Sequence, residues 1–285
     1  MKIVKKIAAF CMAAVLCVSV LAGCTTTKEG GGKQSLAQIK ESGKITMYTN
    51  AAFPPFEYRD GEKVAGVDVD IAEEIAKDIG VTLEVTDTNF DSIIPSVQSG
   101  KCACGAAGMT ITSEREEQVD FSIKYVTSKQ YIILKNDSTV KTIEDLKGMK
   151  IGVQTGTTGD LILTDEIDGY KDDDGNPVQG VLQDTGAEVA RYNNAIDAAA
   201  DLVNGRVDAV VIDKLPAEMI SKSREGTKTI ELVYADGSNT EEEYAIAVAK
   251  GNKDLLDSIN KTLQRLIDEG KIDEYVVNHS AAAQE

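Results

Sequence analysis

The chain has 285 residues, of which 42% are apolar and 27% charged, and a formal net charge of −17. That composition describes a globular chain long enough for one large domain or two smaller ones. Its acidity, with no basic patch, excludes nucleic acid as a partner and disfavours direct contact with anionic lipid.

Lys2, Lys5 and Lys6 precede an uncharged stretch over 7–22 that is too short and wrongly flanked for a membrane-spanning helix. It reads as an export leader. It ends in Leu21-Ala22-Gly23-Cys24, which resembles the lipobox of bacterial lipoproteins; the resemblance implies cleavage after residue 23 and a lipid on Cys24. Removing 1–23 takes away those three lysines and no acid, so the mature chain is more acidic still. Residues 24–34, polar and Gly-rich, read as a flexible tether. The expected location is the outer face of the cell membrane, with the lipid as the only membrane contact.

Past the tether, strand and helix signals alternate. A strand is expected at 45–49, then a helix over 67–79, where Ile71, Ile75 and Ile79 recur every four residues and Gly80 supplies the stop. Strand 81–86 follows, then a short helix over 90–98 blemished by Pro95, and a strand of small residues over 102–107. Cys102 and Cys104 fall on one face of that strand, too extended to close a disulfide, and read as small buried residues. A second set has strands at 131–135, 150–153, 187–191 and 207–212, with helices over 157–163, 194–203 and 215–221. Strand 244–249 and a long helix over 252–268 close the pattern, the helix carrying an apolar stripe from Leu255 to Leu266, with Asn252 as N-cap and Gly270 as stop. Such alternation predicts an α/β chain with parallel sheets covered on both faces. The turn Val97–Ala103 is echoed by Leu202–Asp208, modest support for two similar lobes.

The stretch 169–186 contains Lys171-Asp172-Asp173-Asp174-Gly175-Asn176-Pro177. Counted from Asp172, a calcium loop would need Gly where Pro177 stands and Glu where Gln183 stands, so a solvated hairpin tip is expected instead. Two cysteines and His279 are too few for a metal site, and no metal or cofactor is expected.

Four places offer chemistry just beyond strand ends, where an α/β cleft lies. The loop Asn50 to Tyr58 carries Phe53, Phe56 and Glu57 around two prolines, with Phe56 the better candidate for the core. Gly108 and Thr110 end a strand, and Arg115 follows at the start of an expected helical turn; a guanidinium there suits a carboxylate, although a lone Arg is more often a surface residue. Gln154-Thr155-Gly156-Thr157-Thr158-Gly159 runs from strand into helix and can present N–H groups to an anion, without the Gly-Lys-Ser/Thr of a Walker loop. Asp213 ends the buried strand before helix 215–221 and could accept from an ammonium or cap the helix. Acceptors for a cation and donors for a carboxylate are the two poles of an α-amino acid.

At these residues the chain resembles the polar amino-acid family of ABC-transporter substrate-binding proteins, the bacterial extracellular solute-binding proteins of family 3. The matching stretches are Phe53-Pro54-Pro55-Phe56-Glu57-Tyr58, Gly66-Val67-Asp68-Val69-Asp70, Gly108-Met109-Thr110 through Arg115, Asp120-Phe121-Ser122, Gly156-Thr157-Thr158, and Gly205 to Asp213. The resemblance implies a two-lobed, type II periplasmic-binding-protein-like fold. Lobe 1 would comprise 35–126 plus 245–285 and lobe 2 would comprise 130–239, with hinges about 125–129 and 240–244. Carried over, Arg115 clamps the ligand's α-carboxylate with the N–H groups of Thr110 and Thr158. Asp213 holds the α-ammonium with the Gly108 carbonyl and the Thr110 hydroxyl, and Thr157 stands beside Thr158. Phe53 and Phe90 sandwich the side chain, whose polar end is selected by Asn50, Glu57 and Gln154. Asn50 stands where many relatives have an acid, and Ala103 where an Asp is usual.

The expected activity is capture of a polar L-amino acid outside the cytoplasm by a monomer that delivers it to an ABC permease and ATPase. No enzyme is expected. A cyclohexadienyl-dehydratase-like enzyme on the same scaffold would need a positioned acid, for which Glu57 is the one unassigned candidate, and a ligand-presenting sensor is the other alternative.

Overall fold

The structure, a computed structural model, describes residues 32–172 and 174–283. The expected leader, Cys24 and the start of the tether lie outside the described residues. No described helix is long and apolar enough to cross a membrane.

Strand Lys44–Thr49 buries Ile45, Met47 and Thr49 in strict alternation and pairs in parallel with Thr82–Asp87 on one side and Cys104–Gly105 on the other. Ala247–Ala249 slots antiparallel between Cys104–Gly105 and Val119–Phe121, completing a five-stranded sheet. The second sheet runs Glu188–Tyr192, Lys150–Gln154, Ala209–Asp213, Gln130–Lys135, Thr227–Glu231. Its first three strands are parallel and its last two antiparallel to their neighbours. The purely parallel sheets expected from the alternation are therefore mixed ones. A parallel neighbour requires a crossover helix, and Gln130–Lys135 enters its sheet directly from the first sheet without one. The chain passes between the sheets twice, and the passages pair antiparallel as Val126–Ser128 and Glu242–Tyr244.

Other expectations shift locally. The single strand at 244–249 is two, because the backbone changes partner: Ala245 N–H donates to Met109 O at 3.0 Å and Ile246 N–H to the Ser122 hydroxyl at 2.9 Å. The strand at 102–107 shrinks to Cys104–Gly105, where helix Ile93–Gln98 lies so close that a Cβ on Gly105 would fall 2.4 Å from Ile93. Both thiols are free and buried, and burial pushes Cys102 up to about 12 and Cys104 further. The helix at 90–98 starts as a 3-10 turn, Phe90–Ser92, so Pro95 falls in the first turn of Ile93–Gln98, where an N–H has no intrahelical partner to lose.

Helix Val67–Ile79 buries Val67, Val69, Ile71, Ile75 and Ile79, each worth about 1.5–3 kcal/mol of transfer free energy. Helix Lys253–Asp268 packs on it through Leu255, Ile259, Leu263 and Leu266, while Arg265 bridges Glu74 and Asp78. Asn252 stands at the N-cap position, yet its side chain donates to Gln34 O at 2.9 Å instead of capping. Gly270 is followed by a further helix, Lys271–Ala282, that periodicity did not reveal. The repeated turn is real in its hydrogen bonds: Gly100 donates to Val97 O and Gly205 to Leu202 O, both at 3.1 Å. The 169–186 stretch forms a hairpin, Tyr170–Lys171 with Pro177–Val178, whose tip is tied by Asp172 accepting from the N–H groups of Asp174 and Asn176.

Candidate functional site

Between the two sheets, beyond the ends of their parallel strands, lies a cavity with an empty volume of about 300 Å³. All eleven residues singled out from the sequence line it, and Ala107 is the one addition. Asn50, Phe53, Glu57, Phe90, Gly108, Thr110 and Arg115 come from the chain of the first sheet, and Gln154, Thr157, Thr158 and Asp213 from that of the second.

Local folding explains several placements. The N–H groups of Val67 and Asp68 donate to Pro55 O and Phe56 O at 3.2 and 3.0 Å, locking the helix start onto the aromatic loop. Gly66, at φ 139°, permits this: a Cβ there would sit 2.1 Å from the Phe56 carbonyl oxygen. The lock brings Glu57 beside Asp68, both fully buried. Asp68 accepts from the Tyr125 hydroxyl at 2.7 Å and from the Gly108 N–H at 2.8 Å. Gly108 must also be a glycine, since at φ 51° a Cβ would lie 2.5 Å from the Phe53 ring.

The acids are unequal. Neither Glu57 oxygen has a hydrogen-bond donor, and its charged neighbours are Asp68, Asp213 and Asp87. Burial first, then the Asp68 charge and its hydrogen bond, hold the Glu57 carboxyl well above the ordinary range. Burial raises Asp68 to about 6 against its hydrogen bonds. Asp213 is raised to about 8 by burial and by the Glu242 carboxylate, partly offset by the Tyr244 hydroxyl at 2.8 Å. It occupies the N-cap position of helix Lys214–Lys222 without capping it, so its carboxylate is left to the cavity.

Arg115 sits on the turn Ser113–Glu116, capped by Thr112, and is 6% exposed. Its guanidinium donates to Thr110 O at 2.5 Å and, across the sheets, to Gly156 O at 3.1 Å, and it lies 5.4 Å from the Phe90 ring centroid. Burial lowers its pKa against the pull of Glu242 and Asp213, and it stays charged. Five N–H donors serving two carbonyls leave capacity for a carboxylate. Gln154 donates to Asn50 Oδ1 at 3.0 Å, Asn50 donates to Thr88 O at 2.7 Å, and Gln154 Oε1 is buried without a donor. The Thr157 hydroxyl is spent on Gln154 O at 2.9 Å.

Sequence reasoning missed Asp68, Tyr125, Gln130, Tyr244 and Glu242, which stand behind the lining. Asp68 lay in a quoted motif. Glu242 was hidden in the run Glu241-Glu242-Glu243, which reads as a solvated face, and only strand alternation marks its middle member as inward.

Comparison with known proteins bears on the family and the fold. The sequence profile of bacterial extracellular solute-binding proteins, family 3, matches residues 45–279. The arginine-binding extracellular protein ArtP of Bacillus subtilis is 34% identical over 238 residues, 82% of this chain and 85% of its own length. The L-cystine-binding protein TcyJ of Escherichia coli K12 is 29% identical over 90% of both chains. A solved structure of an ancestral arginine-binding protein bound to arginine superposes with a TM-score of 0.72 at 38% identity, covering 83% of this chain and 97% of that one. The two-sheet architecture is thus that of the type II amino-acid-binding fold, and the chain belongs to the bacterial extracellular solute-binding proteins, family 3.

Proposed function

We propose that this protein captures an L-amino acid with a cationic side chain, arginine first, outside the cytoplasm and delivers it to an ABC importer. The observation that carries the cationic choice is Glu57, a fully buried carboxyl on the cavity wall whose two oxygens have no donor. A carboxyl whose charged form is disfavoured by burial and by the adjacent Asp68 gains from an arriving cation, and a guanidinium pairs with it bidentately. Gln154 Oε1, likewise buried without a donor, adds a third acceptor. Asn50 replaces the acid common in the family, and Glu57 supplies the charge in its stead.

In this reading Arg115 takes the α-carboxylate and Asp213 the α-ammonium, so that one guest touches groups from both sheets. Closure is rewarded only by a guest that does so. Lobe 1 (35–126 plus 245–285) and lobe 2 (130–239) would turn about 125–129 and 240–244, a reading supported by the pairing of Val126–Ser128 with Glu242–Tyr244. Phe53 and Phe90 flank the side chain. The body works as a monomer, tethered through a lipid on Cys24.

The test is a calorimetric titration and thermal-shift screen of the mature protein against the twenty amino acids, cystine and prephenate. L-arginine should bind tightest and raise the melting temperature most, and prephenate should be neither bound nor turned over. A protein that binds no amino acid, or that prefers glutamine with Glu57→Gln leaving arginine unaffected, would overturn the reading.

A further inference from the structure

Glu242 stands on the second passage between the sheets, fully buried between two outward acids. Its Oε2 accepts from the hydroxyls of Thr110 and Thr158, the latter at 3.0 Å, and its Oε1 accepts from Gln130 Nε2 at 3.0 Å. Thr110 follows the first sheet's chain and lies opposite Tyr244 in an antiparallel bridge, while Thr158 opens the helix Thr158–Asp168 of the second. Both threonines line the cavity, and Glu242 does not.

A hydroxyl has one proton. Once that proton is committed to a carboxylate, the oxygen can only accept. We propose that Glu242 is a positioning residue for the ligand's α-ammonium: by holding the hydroxyl protons of Thr110 and Thr158, it leaves both oxygens as acceptors facing the cavity beside Asp213. The inference rests on the amino-acid reading above and extends it to a residue outside the cavity wall. It accounts for the composition of that pole. An ammonium brings three donors, and Asp213, Thr110 and Thr158, with the Gly108 carbonyl beside them, offer acceptors for them. A keto acid would set its own lone pairs against theirs.

Glu242 also acts through charge. The groups that interact with this pole are Asp213, Arg115 and Tyr244, with Glu57 reaching it through Asp213. The Glu242 carboxylate is the second cause, after burial, of the raised Asp213. Replacing it by an amide therefore has two consequences of opposite sign. The ammonium loses a nearby negative charge, and Asp213 ionises at lower pH.

The experiment is calorimetric titration of the parent and Glu242→Gln with L-arginine, and separately with L-glutamine, between about pH 6 and about pH 9. At the alkaline end the variant should bind L-arginine at least about tenfold more weakly. The gap should narrow toward the acid end, where Asp213 in the parent carries a proton. Where L-glutamine binds, the same pattern should appear, since the effect belongs to the shared α-pole. A merely structural role would shift affinity by one factor at every pH. Unchanged affinity, or a constant factor, overturns the proposal. Should Glu242→Gln fail to fold, Thr158→Val deletes one of the two acceptors while keeping the charge. It should weaken L-arginine binding about threefold to tenfold with the parent's pH profile, and equal affinity would overturn the inference. If the parent binds none of the twenty amino acids, the functional reading falls and this inference with it. If the parent binds and the profiles run parallel, this inference alone fails.

Discussion

Arg115 is held by carbonyls from both sides of the cavity before any guest arrives. Its fork needs little reorganisation to receive a carboxylate, and truncation leaves that carboxylate desolvated and unpaired. Arg115→Ala should cost on the order of 2–5 kcal/mol of binding free energy by calorimetry. Glu57→Gln tests the other end. Burial and Asp68 already disfavour the charged form of Glu57 in the empty protein, so the amide should change ligand-free stability little, while arginine affinity falls by a similar amount and a neutral ligand is nearly unaffected. The raised acids also fix a pH dependence. Asp213 at about 8 and Asp68 at about 6 keep protons in the native state that the unfolded chain releases near pH 4. With more protons on the native side, ligand-free stability falls as pH rises from about 4 to about 8. Arginine binding runs the other way, because the guest requires ionised Asp213 and Glu57. The melting temperature without ligand should therefore drop across this window while the increment produced by arginine grows, and parallel curves would contradict it.

At the scale of elements, the loop–helix lock is the most exposed to a single change. Gly66→Ala would drive a methyl group into the Phe56 carbonyl, 2.1 Å from where it must sit, in a backbone conformation that L residues rarely adopt. A loss of at least about 2 kcal/mol in urea unfolding is expected, together with weakened arginine binding, because Glu57 rides on the displaced loop. Helix Val67–Ile79 was legible because its isoleucines keep a fourfold spacing and Gly80 ends it in the left-handed conformation. The same kind of reading joined 244–249 into one strand, since an apolar run shows no trace of a backbone that exchanges Met109 for Ser122 as its partner. The residues lining the cavity were legible through the family resemblance and their positions at strand ends. The groups behind them were not, because Tyr125, Tyr244 and Glu242 act through contacts made by residues distant in sequence. The short sheet that carries the aromatic loop, Ala52–Phe53, Glu57–Asp60 and Lys63–Ala65, also escaped, since its strands are too brief for periodicity to register.

For the molecule as a whole, the proposed guest would act as a cross-link between two halves that are joined by the paired passages and also meet where helix Ala195–Val203 contacts Ala52–Phe53. Arginine at a hundredfold excess over its dissociation constant should add about 2.7 kcal/mol to stability, each kcal/mol being worth about 2–4 °C in melting temperature for a chain of this size. The arrangement of the first sheet has a further consequence. Ala247–Ala249 occupies a central place in it, with Cys104–Gly105 on one side and Val119–Phe121 on the other. Until residue 249 has been synthesised, those two segments face an open slot and the sheet cannot close. A chain truncated after residue 240 is expected to lack native near-ultraviolet dichroism and fixed packing around Met47 and Ile93. If the expected leader exports the chain unfolded, delayed completion would be an asset: a chain whose first sheet awaits its own tail would stay slack enough to be threaded.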